Sequence, residues 1–227
     1  MKLPPEVRQN IFEQYMRIGS RESGRVLMAF PKKSACTCAG HEPVAHVGFR
    51  VLNMALARVS RQIHDEFLSF LHKRYTFHFA CPCDMLENLQ GNKMLQEQIQ
   101  NVKVHWAGPV SDRAFVCLGK CPKLERLDIA ISKSTTRFLT ARETELGAYF
   151  APPKSNRILD ARGINQLLKL RGLRDVVVSH ILARQGLRRS DEERANLQAL
   201  LRAKLMQPKD GESDMDSSWA TDTSSSE

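Results

Sequence analysis

The chain has 227 residues, of which 42% are apolar, with a formal net charge of +9. That length allows one substantial core, and with no run of about 18 apolar residues a membrane-spanning helix is excluded. The charge is uneven, because residues 207–227 hold six acids against Lys209 and leave the first 206 residues at a net +14. A basic body of this kind suits an acidic protein surface, a nucleic acid or its own tail.

The opening MKLPPEVRQN lacks the apolar stretch of a secretory signal. Six cysteines without such a signal are expected as reduced thiols of an intracellular protein, in cytoplasm or nucleus, not as a disulfide framework.

Residues 4–19 are predicted to be helical. Pro4 and Pro5 suit the first turn, Glu6 the positive end of the dipole, and Gly19 the exit. Val7, Ile11, Tyr15 and Ile18 form the expected buried stripe, widened by Phe12, with Leu3 as a hydrophobic staple ahead of it. Arg25–Phe30 and Val44–Val51 are expected to pair as a hairpin around the loop PKKSACTCAGHEP.

A long helix is then expected from Leu52. Its stripe is Leu52, Leu56, Val59, Ile63, Phe67, Phe70 and Leu71, with Arg58, Arg61, Gln62, Asp65 and Glu66 turned to water. At Tyr75 the period changes to two, and Tyr75, Phe77 and Phe79 mark a strand with one buried face. Residues 81–98 predict a short helix, a break at Gly91 and a second short helix.

A repeat follows. Ile99–Trp106, Leu124–Ile131 and Leu173–His180 share one spacing, apolar at the first, fourth, sixth and eighth positions, with His180 replacing the last apolar residue. Each copy is entered from a predicted helix, at 93–98, 112–118 and 164–170. Three helix-then-strand units argue for a parallel or mixed sheet with helices packed on it. Between the second and third copies, Ser132–Arg162 is an aperiodic insertion of the kind that faces partners. Ser190 and Glu193 make a capping-box pair, opening a helix that buries Leu197, Leu200, Leu201, Ala203 and Leu205 and stops before Pro208. Residues 207–227 are acidic, serine-rich and too poor in apolar surface to fold alone. Ser213 and Ser224, with acids after them, fit acid-directed phosphorylation.

The expected fold class is α/β, with α+β the alternative. The expected regions are a helical part at 1–80 with a hairpin inserted at 20–51, an α/β repeat region at 81–182, a helix at 183–206 and a disordered tail at 207–227.

Chemistry-bearing motifs are sparse. Zinc prefers four thiolate or imidazole ligands, and paired cysteines usually stand two or more residues apart. Cys36-x-Cys38 and Cys81-x-Cys83 have one-residue gaps, so Cys36, Cys38, Cys81 and Cys83 are weak zinc candidates and no cofactor is expected. The sequence holds no G-x-S-x-G, no H-E-x-x-H, no phosphate-binding glycine loop and no dinucleotide fingerprint. His64, His72 and His78 are scattered and expected to be structural or surface residues, and no catalytic residues are assigned. Lys32–Lys33, Lys73–Arg74 and Arg184, Arg188 and Arg189 are basic clusters able to meet phosphates, with Trp106 the one aromatic near them of open exposure.

Two stretches carry a resemblance. LPPEVRQNIFEQYM (Leu3–Met16) is similar to the opening helix of the F-box. LARVSRQIHDEFLSFLHKRYTFHF (Leu56–Phe79) resembles the corresponding part of a group of F-box-like proteins from filamentous fungi, whose Arg-x-x-Arg-Gln-Ile helix leads into an aromatic Thr-Phe-x-Phe strand. Cys121–Ile129 also looks like the leucine-rich repeats that follow many F-boxes. Here about thirty residues, Gly19 to Leu52, separate two helices that an ordinary F-box joins by a short connection.

The resemblance implies a non-catalytic adaptor that docks on the Skp-type linker subunit of a cullin ubiquitin ligase. By motif position Leu3, Pro4, Val7, Ile11 and Phe12 would meet that subunit, while Val59 and Ile63 complete the helical core. The periodicity by itself equally places Val7, Ile11 and Phe12 in the chain's own core. A basic nucleic-acid-associated protein is the alternative from another class.

Overall fold

The computed structural model describes residues 3–17, 27–29, 38, 55–137, 157–181, 186 and 188–209, with backbone alone at 27–29. Among the described residues there are five strands: β1 (Leu27–Ala29), and four runs richer in β-branched or aromatic residues, β2 (Thr76–Phe79), β3 (Asn101–His105), β4 (Arg126–Ile131) and β5 (Asp175–His180). They lie in chain order in one sheet, each parallel to the next. Every crossover therefore steps the same way, which winds the chain as a solenoid and carries the crossover helices to one face. The fold is α/β.

Among the described residues seven helices accompany the sheet: α1 (Pro5–Arg17), α2 (Arg61–Arg74), α3 (Pro82–Gly91), α4 (Lys93–Gln98), α5 (Ser111–Leu118), α6 (Ile164–Leu167) and α7 (Asp191–Leu205). The expected helix-then-strand units are α4–β3, α5–β4 and α6–β5, and α2–β2 adds a fourth. Register aligns Phe77 with Val102, Leu127 and Val176, and Phe79 with Val104, Ile129 and Val178. All eight side chains are buried. Twenty-five residues separate Phe77 from Val102 and Val102 from Leu127, but 49 separate Leu127 from Val176. The insertion after Ser132 thus lengthens one turn of the coil without disturbing its register.

Four expectations change. β1 forms within the expected Arg25–Phe30 strand, but its partner is β2, in parallel, while Val44–Val51 lies outside the described residues. The long helix is shorter than its apolar stripe: a single 3-10 turn (Leu56–Arg58) precedes it, and Ser60 starts α2 by accepting the amide of Ile63 at 3.2 Å. Val59 falls in the gap and is 69% exposed instead of closing the helical core. The boundary drawn at residue 80 falls inside one sheet, because β2 bonds directly to β3.

The other end of the sheet is closed by α7. Ser190 and Glu193 make both bonds of the capping box, and Leu197, Leu201 and Leu205 are buried. Leu200 is only half-buried and Ala203 is exposed. The polar side of α7 serves the edge strand. Gln198 Oε1 accepts the amide of Val178 at 3.1 Å, and Arg202 Nε donates to the carbonyl of Val176 at 2.9 Å. Backbone groups of a bare edge strand invite pairing with other chains, and these side chains occupy them. No helix among the described residues is long and apolar enough to cross a membrane.

Candidate interaction surface

α1 has two apolar rows about 100° apart, since each residue advances a helix by that angle. The inward row is Phe12, Tyr15 and Met16. The Phe12 ring meets Phe67 at 5.4 Å and Phe70 at 5.7 Å, and Tyr15 meets Phe67 edge-on at 5.9 Å. Offset and edge-on ring pairs of this kind add to simple burial. The outward row is Leu3, Val7 and Ile11, exposed by 48%, 41% and 42%, with Pro4 exposed at its start.

Of the five residues expected to meet a partner, four therefore lie on the surface. Phe12 is 2% exposed and stands behind that row, in the core. Val7 and Ile11, predicted by period to be buried, are instead the exposed pair. Ile18 lies outside the described residues.

Ion pairs lock α1 in this orientation. Arg8 Nε and one terminal nitrogen reach the two carboxylate oxygens of Glu66 at 2.6 and 2.8 Å, a bidentate pair across α1 and α2. Gln62 donates to the same carboxylate at 2.9 Å. The Arg8 bond, followed by that of Gln62, holds the Glu66 carboxyl below its usual range. The other terminal nitrogen of Arg8 donates to the carbonyl of Leu3, which fixes the chain just ahead of α1. Glu13 pairs with Arg74 at 3.1 Å. An inward rotation of Val7 and Ile11 would break these pairs and expel Phe12.

The described histidines are scattered through the fold. His64 Nδ1 bonds the carbonyl of Ala57 at 3.0 Å, His72 stacks on Phe77 at 5.4 Å, and His180 Nε2 meets Asp191 at 3.2 Å. Sequence reading missed one buried pair, His105 Nε2 with Ser132 Oγ at 3.0 Å. Ser132 is 1% exposed, and its oxygen also accepts the amide of Ser134, which is the work of an N-cap. The signal was the serine just after the third repeat position of β4, ahead of Thr135.

The basic clusters are half engaged where they are described, with Lys73 exposed. Arg189 is buried in a bidentate pair with Glu193 at 2.8 and 3.2 Å and donates to Thr136. Arg74 is paired, Arg188 is exposed, and Lys32, Lys33 and Arg184 lie outside the described residues. Trp106 is fully buried, donating its Nε1 proton to the carbonyl of Arg162, and offers no face for a base to stack on. On the polar face of the sheet Lys103 pairs with Asp128 at 3.0 Å and Arg126 with Asp175 at 3.3 Å.

Of the four cysteines singled out as weak metal candidates, Cys36 lies outside the described residues. The fold brings the other three, Cys38, Cys81 and Cys83, together. Comparison with known protein families, with curated proteins and with solved structures gives no match.

Proposed function

We propose that the chain is a non-catalytic protein-interaction module that docks on the Skp-type linker subunit of a cullin ubiquitin ligase through Leu3, Pro4, Val7 and Ile11. The observation that carries this reading is the division of α1 into two apolar rows. One row is consumed by the core and the other is held outward by the Arg8–Glu66 and Glu13–Arg74 pairs. A preorganised helix with a few apolar anchors suits a helix-in-groove contact, where anchors supply most of the binding energy. Its rigidity also lowers the ordering cost of association. The resemblance of Leu3–Met16 to the F-box opening names the partner. The structural use of the histidines and of Ser132 supports an adaptor without chemistry of its own.

Co-purification tests the proposal. The full chain is expected to retain a Skp-type subunit, and Ile11→Asp to lose it while keeping the wild-type unfolding midpoint. Retention by Ile11→Asp, or no retention by the wild type, rejects the reading.

A further inference from the structure

The turn between β2 and α3 places Cys81 and Cys83 at the start of a ten-residue helix, with Cys81 as its N-cap and Pro82 as its first residue. Cys38, more than forty residues earlier, lies against them. The three sulfur atoms all fall within 4.8 Å of one another, and Cys38 Sγ is 3.2 Å from Cys83 Sγ. A disulfide requires about 2.05 Å, so this pair is not one. Two thiolates bound to one tetrahedral zinc, each about 2.3 Å from it, stand about 3.8 Å apart, and the observed pair needs to open by only about half an ångström.

We propose that Cys38, Cys81 and Cys83 are three thiolate ligands of one tetrahedral zinc ion, with solvent in the fourth position. Soft thiolates select zinc among the common divalent ions, and their protons leave to solvent as the ion binds. Cys81 Sγ accepts the amide of Asp84 at 3.5 Å, and both Cys81 and Cys83 sit at the positive end of α3. The Asp84 carboxylate is occupied elsewhere, by the amide of Ala80 at 3.1 Å and by Asn88 at 3.0 Å. It holds the turn that presents the two cysteines.

Gly108, in the loop after β3, provides the room. Its φ is +119°, and a Cβ there would run into Cys38 Sγ and come within 3.8 Å of Cys83 Sγ. A residue in that backbone region is normally glycine, so both the conformation and the space require it. The remaining described cysteines differ. Cys117 and Cys121 are buried in the core, where desolvation raises both thiols, that of Cys121 to about 12. They serve as internal controls.

A one-residue gap between cysteines makes a poor chelate for a flexible chain. Here Cys81 and Cys83 flank a proline in a helix N-terminus that fixes both directions before the ion arrives, and the third sulfur comes from a distant segment. A zinc there ties Cys38 to the turn between β2 and α3. The inference does not depend on what α1 binds.

The test uses the full chain purified without chelator or added zinc. Elemental analysis is expected to find about one zinc per chain. Cys38, Cys81 and Cys83 are expected to react with an alkylating agent only after chelation, whereas Cys117 and Cys121 label equally with and without chelator. Cys83→Ser is expected to lose the zinc and Cys117→Ala to keep it. If Cys83→Ser does not fold, cobalt replacement in the wild type decides, through thiolate-to-metal charge transfer and tetrahedral absorption. Zinc below about a tenth of an equivalent, labelling indifferent to chelation, or a Cys38–Cys83 disulfide found by mass spectrometry overturns the proposal.

Discussion

His78 belongs to the outward row of β2, beside Lys103 of β3, yet it is only 5% exposed. Burial is the main reason its proton affinity falls, to about 4, and the charges of Lys103 and His105 add to it while Asp128 opposes. The folded state thus keeps His78 neutral where the unfolded chain, near 6.5, binds a proton. Stability is complete above about pH 6.5 and declines as pH falls toward 4. The loss is about 2 kcal/mol by pH 5 from this group alone. Burial shifts His72 in the same direction. Urea unfolding at pH 7 and pH 5 checks this, since His78→Gln is expected to flatten the difference by that amount. An unchanged pH dependence in the variant rejects the assignment.

Neighbouring residues of α1 have opposite fates, and this limits what sequence shows at the residue scale. Val7, Ile11, Phe12 and Tyr15 are all marked by periodicity, which does not say which row the core takes. The decision lies in Phe67 and Phe70 of α2 and in the Arg8–Glu66 pair, all more than fifty positions away. Phe12→Ala is expected to cost about 3–5 kcal/mol by denaturant unfolding, the usual range for a fully buried phenylalanine. Val7→Ala, on the exposed row, is expected to cost less than about 0.5 kcal/mol.

At the scale of elements, capping signals held, while the pairing expected for β1 did not. The Ser190–Glu193 box and the stop before Pro208 are stated by a few adjacent residues and the structure shows both, while the break expected at Gly91 falls one residue on, at Asn92. Ser190→Ala is expected to lower stability by about 1 kcal/mol, read as a fall in the unfolding midpoint at unchanged slope. β1 is the counterexample. A strand beside a loop suggests a hairpin because the nearest partner has the lowest closure entropy. The actual partner of Met28 is Phe77, 49 residues on, in parallel. Only the finished coil makes that pairing favourable, because β2 is already held by β3.

Over the whole molecule, the repeat was legible as three copies and the sheet has five strands. β2 escaped because its spacing lacks the leading aliphatic residue, with Arg74 in that place, although Phe77 lies 25 residues before Val102 as Val102 does before Leu127. The cysteine cluster escaped for a related reason. A one-residue gap is a weak signal, and the third sulfur joins it only through the fold. One sheet running from β1 to β5 leaves no seam at residue 80. Unfolding is therefore expected as one transition, with coincident midpoints from far-ultraviolet circular dichroism and tryptophan fluorescence. Two separated midpoints would mean two folding units. The outward row of α1 gives this body its proposed purpose, and a binding titration tests it most directly. The full-length chain is titrated with a purified Skp-type subunit beside Ile11→Asp, with circular dichroism confirming that both are folded. Saturable binding by the wild type, weakened at least about a hundredfold by Ile11→Asp as for a buried anchor, is the predicted result. Equal binding by the two proteins, or none by either, contradicts it.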